Sequence, residues 1–291
     1  MTAKVVAISN MKGGVGKTTV AVALAHEFAK GIDGAEARVL LVDLDAQANA
    51  SFWVLGDEKL TNLIQRGKTI DAYLEDAIVF KKKVALKDYI FPAEAPVAGR
   101  LSIIPSSPAL RLVERTLIVF LSRRQRNLLE VERAVSDLFN EQLAELRKLF
   151  DVIVFDSAPG ISALTEAALR SAEIVVVPTV PDFISNLGLE AFCKSVFWSP
   201  RHDDALPQRK PWVLANMVKD TPAHQAMLRE MRAEATSADG GFHLLDLEIP
   251  DAAWIEEAAS AGGDHSERFN GDTFTRLARE VMVRVQSSEL S

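Results

Sequence analysis

The sequence predicts an α/β fold, a doubly wound and mainly parallel sheet with helices on both faces, and three observations carry that expectation. A glycine-rich turn, Lys12-Gly-Gly-Val-Gly-Lys17, joins a short apolar run to a segment of helical periodicity. Apolar runs of four to seven residues then alternate with helical patterns along the chain, the order of parallel strands joined by crossover helices. Acidic and polar residues gather where these runs end, which is where open α/β sheets bind ligands.

Taken in order, Val5-Val-Ala-Ile8 reads as a buried strand, and Val20, Leu24 and Phe28 recur at helical spacing behind the turn. Gly31 and Gly34 mark a stop. Arg38-Val-Leu-Leu-Val-Asp43 is continuous apolar sequence, as in a strand covered on both faces. Residues 57–100 are mixed: Leu60, Leu63 and Ile64, then Ile70, Tyr73 and Leu74, predict short helices, and Lys81-Lys82-Lys83 a solvated turn. Leu101–Pro105 is a further strand, and 107–150 is helical, with Val131, Val135, Leu138, Leu143 and Leu146 on one face. Strands at 151–156, 173–178, 212–216 and 244–249 then alternate with helices at 162–171, 186–198 and 222–235, and two helical segments close the chain.

With 291 residues, 48% hydrophobic and 25% charged, the chain can bury a sizeable core. The one cysteine, Cys193, rules out an internal disulfide and a thiolate cluster built from one chain; it reads as a small apolar residue on a helix. No apolar run reaches bilayer length and the N-terminus lacks a signal-peptide layout, so the cytoplasm is the expected location. A net charge of −7 argues against uniform attraction to nucleic acid or an anionic membrane. Any such binding needs a local basic patch.

The turn itself points to phosphate. Glycines let the backbone approach phosphate oxygens and turn successive N–H groups inward, and a helix N-terminus adds a favourable dipole. Lys17 is placed for the β- and γ-phosphates and the Thr18 hydroxyl for Mg²⁺. The ordinary spacing is not met, however, because Met11 stands where its first glycine belongs and a second lysine, Lys12, sits inside the loop.

Lys12-Gly13-Gly14-Val15-Gly16-Lys17-Thr18-Thr19 resembles the deviant Walker A motif of the ParA/MinD family of partition and positioning ATPases. That resemblance implies one ATPase domain over 1–291, ATP and Mg²⁺ as ligands, and a homodimer in which Lys12 reaches the partner's nucleotide. It makes Asp156, closing its strand, the Walker B acid near the metal. Asp43-Leu-Asp-Ala-Gln-Ala-Asn49 resembles the family's D-x-D-P-Q-x-N segment. By that likeness Asp45 positions the attacking water, Asp43 supports the loop, and both belong to the metal shell with Thr18 and Asp156. Ala46 replaces the usual proline. Asn216-Met217 and Pro250-Asp251 resemble the adenine site, with Asp251 where relatives often carry arginine.

Relatives that bind DNA non-specifically use scattered cations in the second half, here Lys194, Arg201, Arg209, Lys210, Lys219, Arg229 and Arg232. Arg111, Arg115, Arg123, Arg124 and Arg126 form another basic group that suits DNA or a partner helix. The C-terminal stripe Phe274, Leu277, Val281 and Val285 reads as a helix packed on the sheet, in preference to a membrane anchor of the MinD kind. The resemblance thus implies an ATPase that segregates DNA or another large cargo by ATP-gated binding to nucleoid DNA. A ParB-like or cargo-adaptor protein would stimulate it, with no DNA-reading domain ahead of the loop. The alternatives are a membrane-cycling division-site ATPase and a metabolic enzyme on the same scaffold.

Overall fold

Each of the seven apolar runs forms a strand in the computed structural model, which describes residues 2–32, 36–94, 100–122, 128–197, 210–251 and 272–287. The strands are β1 (Lys4–Ile8), β2 (Val39–Leu44), β4 (Leu101–Ile104), β5 (Val152–Ser157), β6 (Ile174–Thr179), β7 (Trp212–Val218) and β8 (His243–Pro250). An unforeseen pair of residues, β3 (Phe91–Pro92), adds an antiparallel edge. Its proline has no N–H to give a ladder, so an edge suits it. The order is β3-β4-β2-β5-β1-β6-β7-β8, parallel everywhere except at β3.

The helices are α1 (Lys17–Lys30), α2 (Asn49–Gln65), α3 (Ile70–Leu74), α4 (Leu110–Ser122), α5 (Leu128–Leu149), α6 (Ala163–Ser171), α7 (Phe183–Val196), α8 (Pro222–Thr236) and α9 (Asp272–Ser287). Caps set several starts. Ser162 accepts from Thr165 N–H ahead of α6, and Thr221 from His224 N–H ahead of α8. Asp182 accepts from Ser185 N–H, which begins α7 three residues earlier than the apolar spacing indicated. The mixed region resolves into a longer α2, bent at Gly56 where φ is 71°, and the short α3. The helical stretch 107–150 contains α4 and α5, and the first of the two closing helical segments falls outside the described residues.

Alternation along each strand sends neighbouring side chains to opposite cores. Val5, Ala7, Leu40, Val42, Ile153 and Phe155 join one core with residues of α3 to α7. Val6, Ile8, Leu41, Val152 and Val154 join the other with α1, α2 and α9. The C-terminal stripe behaves as expected: Phe274, Leu277, Val281 and Val285 are all buried, and the Thr275 hydroxyl donates to Glu27 of α1 at 2.7 Å. Cys193 is buried on α7, and that burial pushes its thiol up to about 12. No described helix is long and apolar enough to cross a membrane.

Candidate functional site

Parallel register places the strand-ending acids side by side. Asp43 of β2 is the direct partner of Asp156 of β5, and Asp156 is in turn the partner of Ile8, the last residue of β1. Both aspartates are fully buried. The glycine-rich loop leaves β1 beside them, so the carboxyl ends of these central strands gather the loop, two acids and the start of α1.

The loop conformation depends on two glycines, Gly14 at φ 73° and Gly16 at φ 84°, a region that side-chain-bearing residues rarely enter. Gly16 is also pressed by a neighbour, since a Cβ there would lie 2.4 Å from Asn216 Nδ2. Asn10 anchors the loop's entrance. Its amide donates to the Pro178 carbonyl at 2.8 Å, and its Oδ1 accepts from Lys12 N–H at 3.0 Å. Gly13, Val15, Thr18 and Thr19 complete the loop and the first turn of α1, with Val15 buried.

The two lysines differ. Lys17 is buried and its ammonium donates to the Lys12 carbonyl at 2.8 Å. Burial lowers its pKa, opposed in part by the charges of Asp156 and Asp45. Lys12 instead extends to α7 of its own chain, where its ammonium donates to Ser185 Oγ at 2.7 Å and lies 3.5 Å from Asp182. Sequence reasoning missed these two partners. The only available signal was the capping pattern Asp182-Phe-Ile-Ser185.

Asp43 is a fully engaged carboxylate. Its Oδ2 accepts from the N–H and hydroxyl of Ser51 at 2.9 and 2.6 Å, and its Oδ1 from Asp45 N–H at 3.0 Å. Burial nevertheless raises its pKa to about 6, with these hydrogen bonds working against the rise. Asp45 accepts from Gln47 N–H at 2.9 Å. The segment around Ala46 is therefore held by side-chain hydrogen bonds in place of a proline ring. Ser51, which also accepts from Ser106 N–H at 2.9 Å, escaped the sequence reading because its role depends on contacts 8 and 55 residues away.

Asp156 is the opposite case. Neither carboxylate oxygen has a hydrogen-bond partner among the described residues, and the Thr18 hydroxyl stands beside it without closing a bond of normal geometry. Burial, then the neighbouring Asp43, raises its pKa well above the usual range. Buried acids without partners are rare because they forfeit hydration without return. Hard oxygen donors, an unpaired acid and a hydroxyl at a helix N-terminus suit Mg²⁺, which keeps several waters and needs few protein ligands. Thr18 and Asp156 would hold it. Asp45 lies close enough for its charge to act on Lys17 and Asp156, while Asp43 is committed to Ser51 and the loop.

At the β7–β8 edge, Asn216 is 3% exposed and its amide donates to the Val15 carbonyl at 2.8 Å. It therefore braces the phosphate loop with one of its two amide N–H groups. Met217, at φ 53°, packs towards Gly16. Asp251 N–H donates to the Val218 carbonyl at 2.9 Å, and its carboxylate pairs with Lys219 at 3.2 Å, so Pro250 and Asp251 do share an edge with Asn216.

The second-half cations are partly neutralised. Lys194 pairs with Glu190, Lys219 with Asp251 and Arg232 with Glu248. Arg123, Arg124, Arg126, Arg201 and Arg209 lie outside the described residues.

A family model described as an AAA domain matches residues 3–199. The sporulation initiation inhibitor protein Soj of Bacillus subtilis is 31% identical over 68% of this chain and 67% of its own. The chromosome-partitioning ATPase Soj of Thermus thermophilus is 27% identical over 97% of both chains. Other curated relatives are matched over only 58% to 64% of their own length. Among solved structures, apo McdA from Cyanothece aligns with a TM-score of 0.72 at 18% identity, covering 96% of this chain and 99% of its own. Cobyrinic acid a,c-diamide synthase from Mycobacterium smegmatis aligns at 0.68 and 20% identity, covering 98% and 96%. At such identities the structures establish the shared fold.

Proposed function

We propose, from the premise that this chain belongs to the ParA/MinD family of partition and positioning ATPases, that it hydrolyses ATP to ADP and phosphate within a nucleotide-gated dimer and so positions DNA or another large cargo. The observation that carries this reading is the buried, unpartnered Asp156 beside Lys17 and Thr18 at the foot of the glycine loop. Such a group is held ready for a cation that the protein does not itself supply.

The loop N–H groups and Lys17 bind the phosphates, and Asn216 keeps the loop in its receptive shape through Val15. Asp45 orients the attacking water. Mg²⁺, when bound, neutralises charge on the phosphate oxygens; positioning and electrostatics supply most of the acceleration in phosphoryl transfer. Lys12 leaves Ser185 and Asp182 to serve the nucleotide of a second copy. Support for a face-to-face pair comes from the loop's rim, where Met11, Ile161, Phe183, Ile184 and Leu187 are all exposed. An apolar rim of this kind marks an interaction site. The whole chain, 1–291, acts as one ATPase unit in the cytoplasm, associated with nucleoid DNA and stimulated by a ParB-like or adaptor protein.

Sedimentation with and without ATP tests the cycle: the pair should form only with ATP. Lys12→Ala should keep some nucleotide binding yet lose the ATP-dependent pair and hydrolysis, and an unimpaired pair would remove the cross-subunit role. Asp45→Ala should leave a long-lived ATP-bound pair, whereas rapid turnover would assign water positioning to another residue. DNA pull-downs with ATP, ADP and no nucleotide test the gating, which predicts retention with ATP alone.

A further inference from the structure

Helix α4 has two faces that no part of the cycle above uses. Inward, Leu110, Val113 and Leu117 are buried. Outward, Leu112 is 66%, Val119 56% and Ile118 41% exposed, interleaved with exposed Arg111 and Arg115. Residues three, four and seven apart share a helix face, so Leu112 and Val119 line one side of this exposed face, Arg111 and Arg115 run along its middle, and Ile118 borders its other side. Among the described residues neither arginine forms an ion pair.

We propose that this outer face of α4 docks an acidic amphipathic helix of a partner protein. Leu112 and Val119, seven residues apart, offer a pair of apolar anchors at helical spacing, and the two arginines beside them select carboxylates on the incoming helix. An anionic bilayer is a poorer occupant. The whole chain carries −7 and would be repelled across a broad surface, whereas a single helix meets only the local positive patch.

The position of α4 gives docking a consequence. Ser106 N–H, at the turn leading into the helix, bonds Ser51, whose hydroxyl bonds Asp43. On the inner side, Glu114 stands beside the Ser162 hydroxyl with its Oε1 buried and without a hydrogen-bond partner, and near enough to Asp45 to feel its charge. A helix held at both places to the acids' surroundings transmits a shift imposed on its outer face. That effect on hydrolysis rests on the function proposed above; the docking itself does not.

The test uses the full chain and a fluorescein-labelled synthetic helix with leucines at i, i+3, i+4 and i+7 flanked by glutamates, read by anisotropy without nucleotide. Saturable binding should weaken about tenfold or more in L112S/V119S and in R111E/R115E, and should vanish when the peptide's glutamates become lysines. Circular dichroism should show both variants folded, as expected for exposed positions. Absence of peptide binding, or equal binding by the variants, overturns the proposal. So does retention of the wild type but not L112S/V119S on phosphatidylglycerol–phosphatidylcholine vesicles without peptide binding, which would give the face to a membrane. Loss of self-association in the variants without peptide binding would give it to a second copy and also overturn the proposal. With ATP present, L112S/V119S should keep basal hydrolysis and lose any response to the peptide. If peptide binds as expected but no form of the protein hydrolyses ATP, the function proposed above fails and the docking face stands.

Discussion

Two buried acids on opposite sides of the same helix–strand unit behave in opposite ways. Glu27, on α1 where α9 packs, accepts from Lys30 at 2.9 Å and from the Thr275 hydroxyl at 2.7 Å. Burial alone would raise its pKa, but the neighbouring His26 and the bonds from Lys30 and Thr275 outweigh that and bring it from 4.5 down to about 2. Asp156, at the carboxyl end of its strand, is fully buried, has no such bond among the described residues and is driven upward. A protein that satisfies one buried acid and leaves another bare has placed the second for something that arrives from outside. Glu27 is architecture, and Asp156 is the proposed site.

The largest expected effect breaks this comparison if it fails. Asp156→Asn should reduce ATP hydrolysis about a hundredfold or more, because an amide no longer helps to anchor the cation, while thermal stability should not fall. A lower melting temperature with hydrolysis intact would make Asp156 structural and erase the contrast. Glu27→Gln should do the reverse, costing about 3 kcal/mol of stability at neutral pH with nucleotide affinity unchanged, as calorimetry and titration would show.

The sign with pH follows from the depressed value. Glu27 stabilises the fold fully above 4.5, its ordinary value, and that contribution drains away as pH falls towards about 2. Wild-type melting temperature should therefore drop through that window, and the part owed to Glu27 should be missing in Glu27→Gln. The smallest effect sharpens the picture at the loop. Gly16→Ala forces a side chain into positive φ and against Asn216, costing about 1–2 kcal/mol of loop integrity and weakening nucleotide binding about tenfold. Adding Asn216→Ala should not restore binding, since it relieves the collision but leaves the backbone strained and removes the brace on Val15; complete recovery would show that neither φ at Gly16 nor that brace matters.

The legible parts of the site were those whose cause is local. Lys17 and Thr18 sit where the loop pattern puts them, on the first turn of α1, and Asp43 and Asp156 lie one residue short of the ends of their strands, close to where the apolar runs put them. What Asn216 does was not legible. The likeness points it at a base, and its bond to a carbonyl 201 residues away is a further contact that local spacing does not announce. Lys12 was equally opaque, because its partner Ser185 is 173 residues distant, and nothing in the spacing of a loop says which helix will pass beside it.

The sequence by itself determined the seven apolar strands, the helices that alternate with them and the shape of the phosphate loop, because side-chain periodicity and the freedom of glycine act within a few residues. Tertiary structure alone decided which acid is satisfied and which is bare, where Lys12 rests, and which face of α4 is left open. Those outcomes depend on desolvation and on donors brought together by strand order and register, and neither exists until distant segments meet.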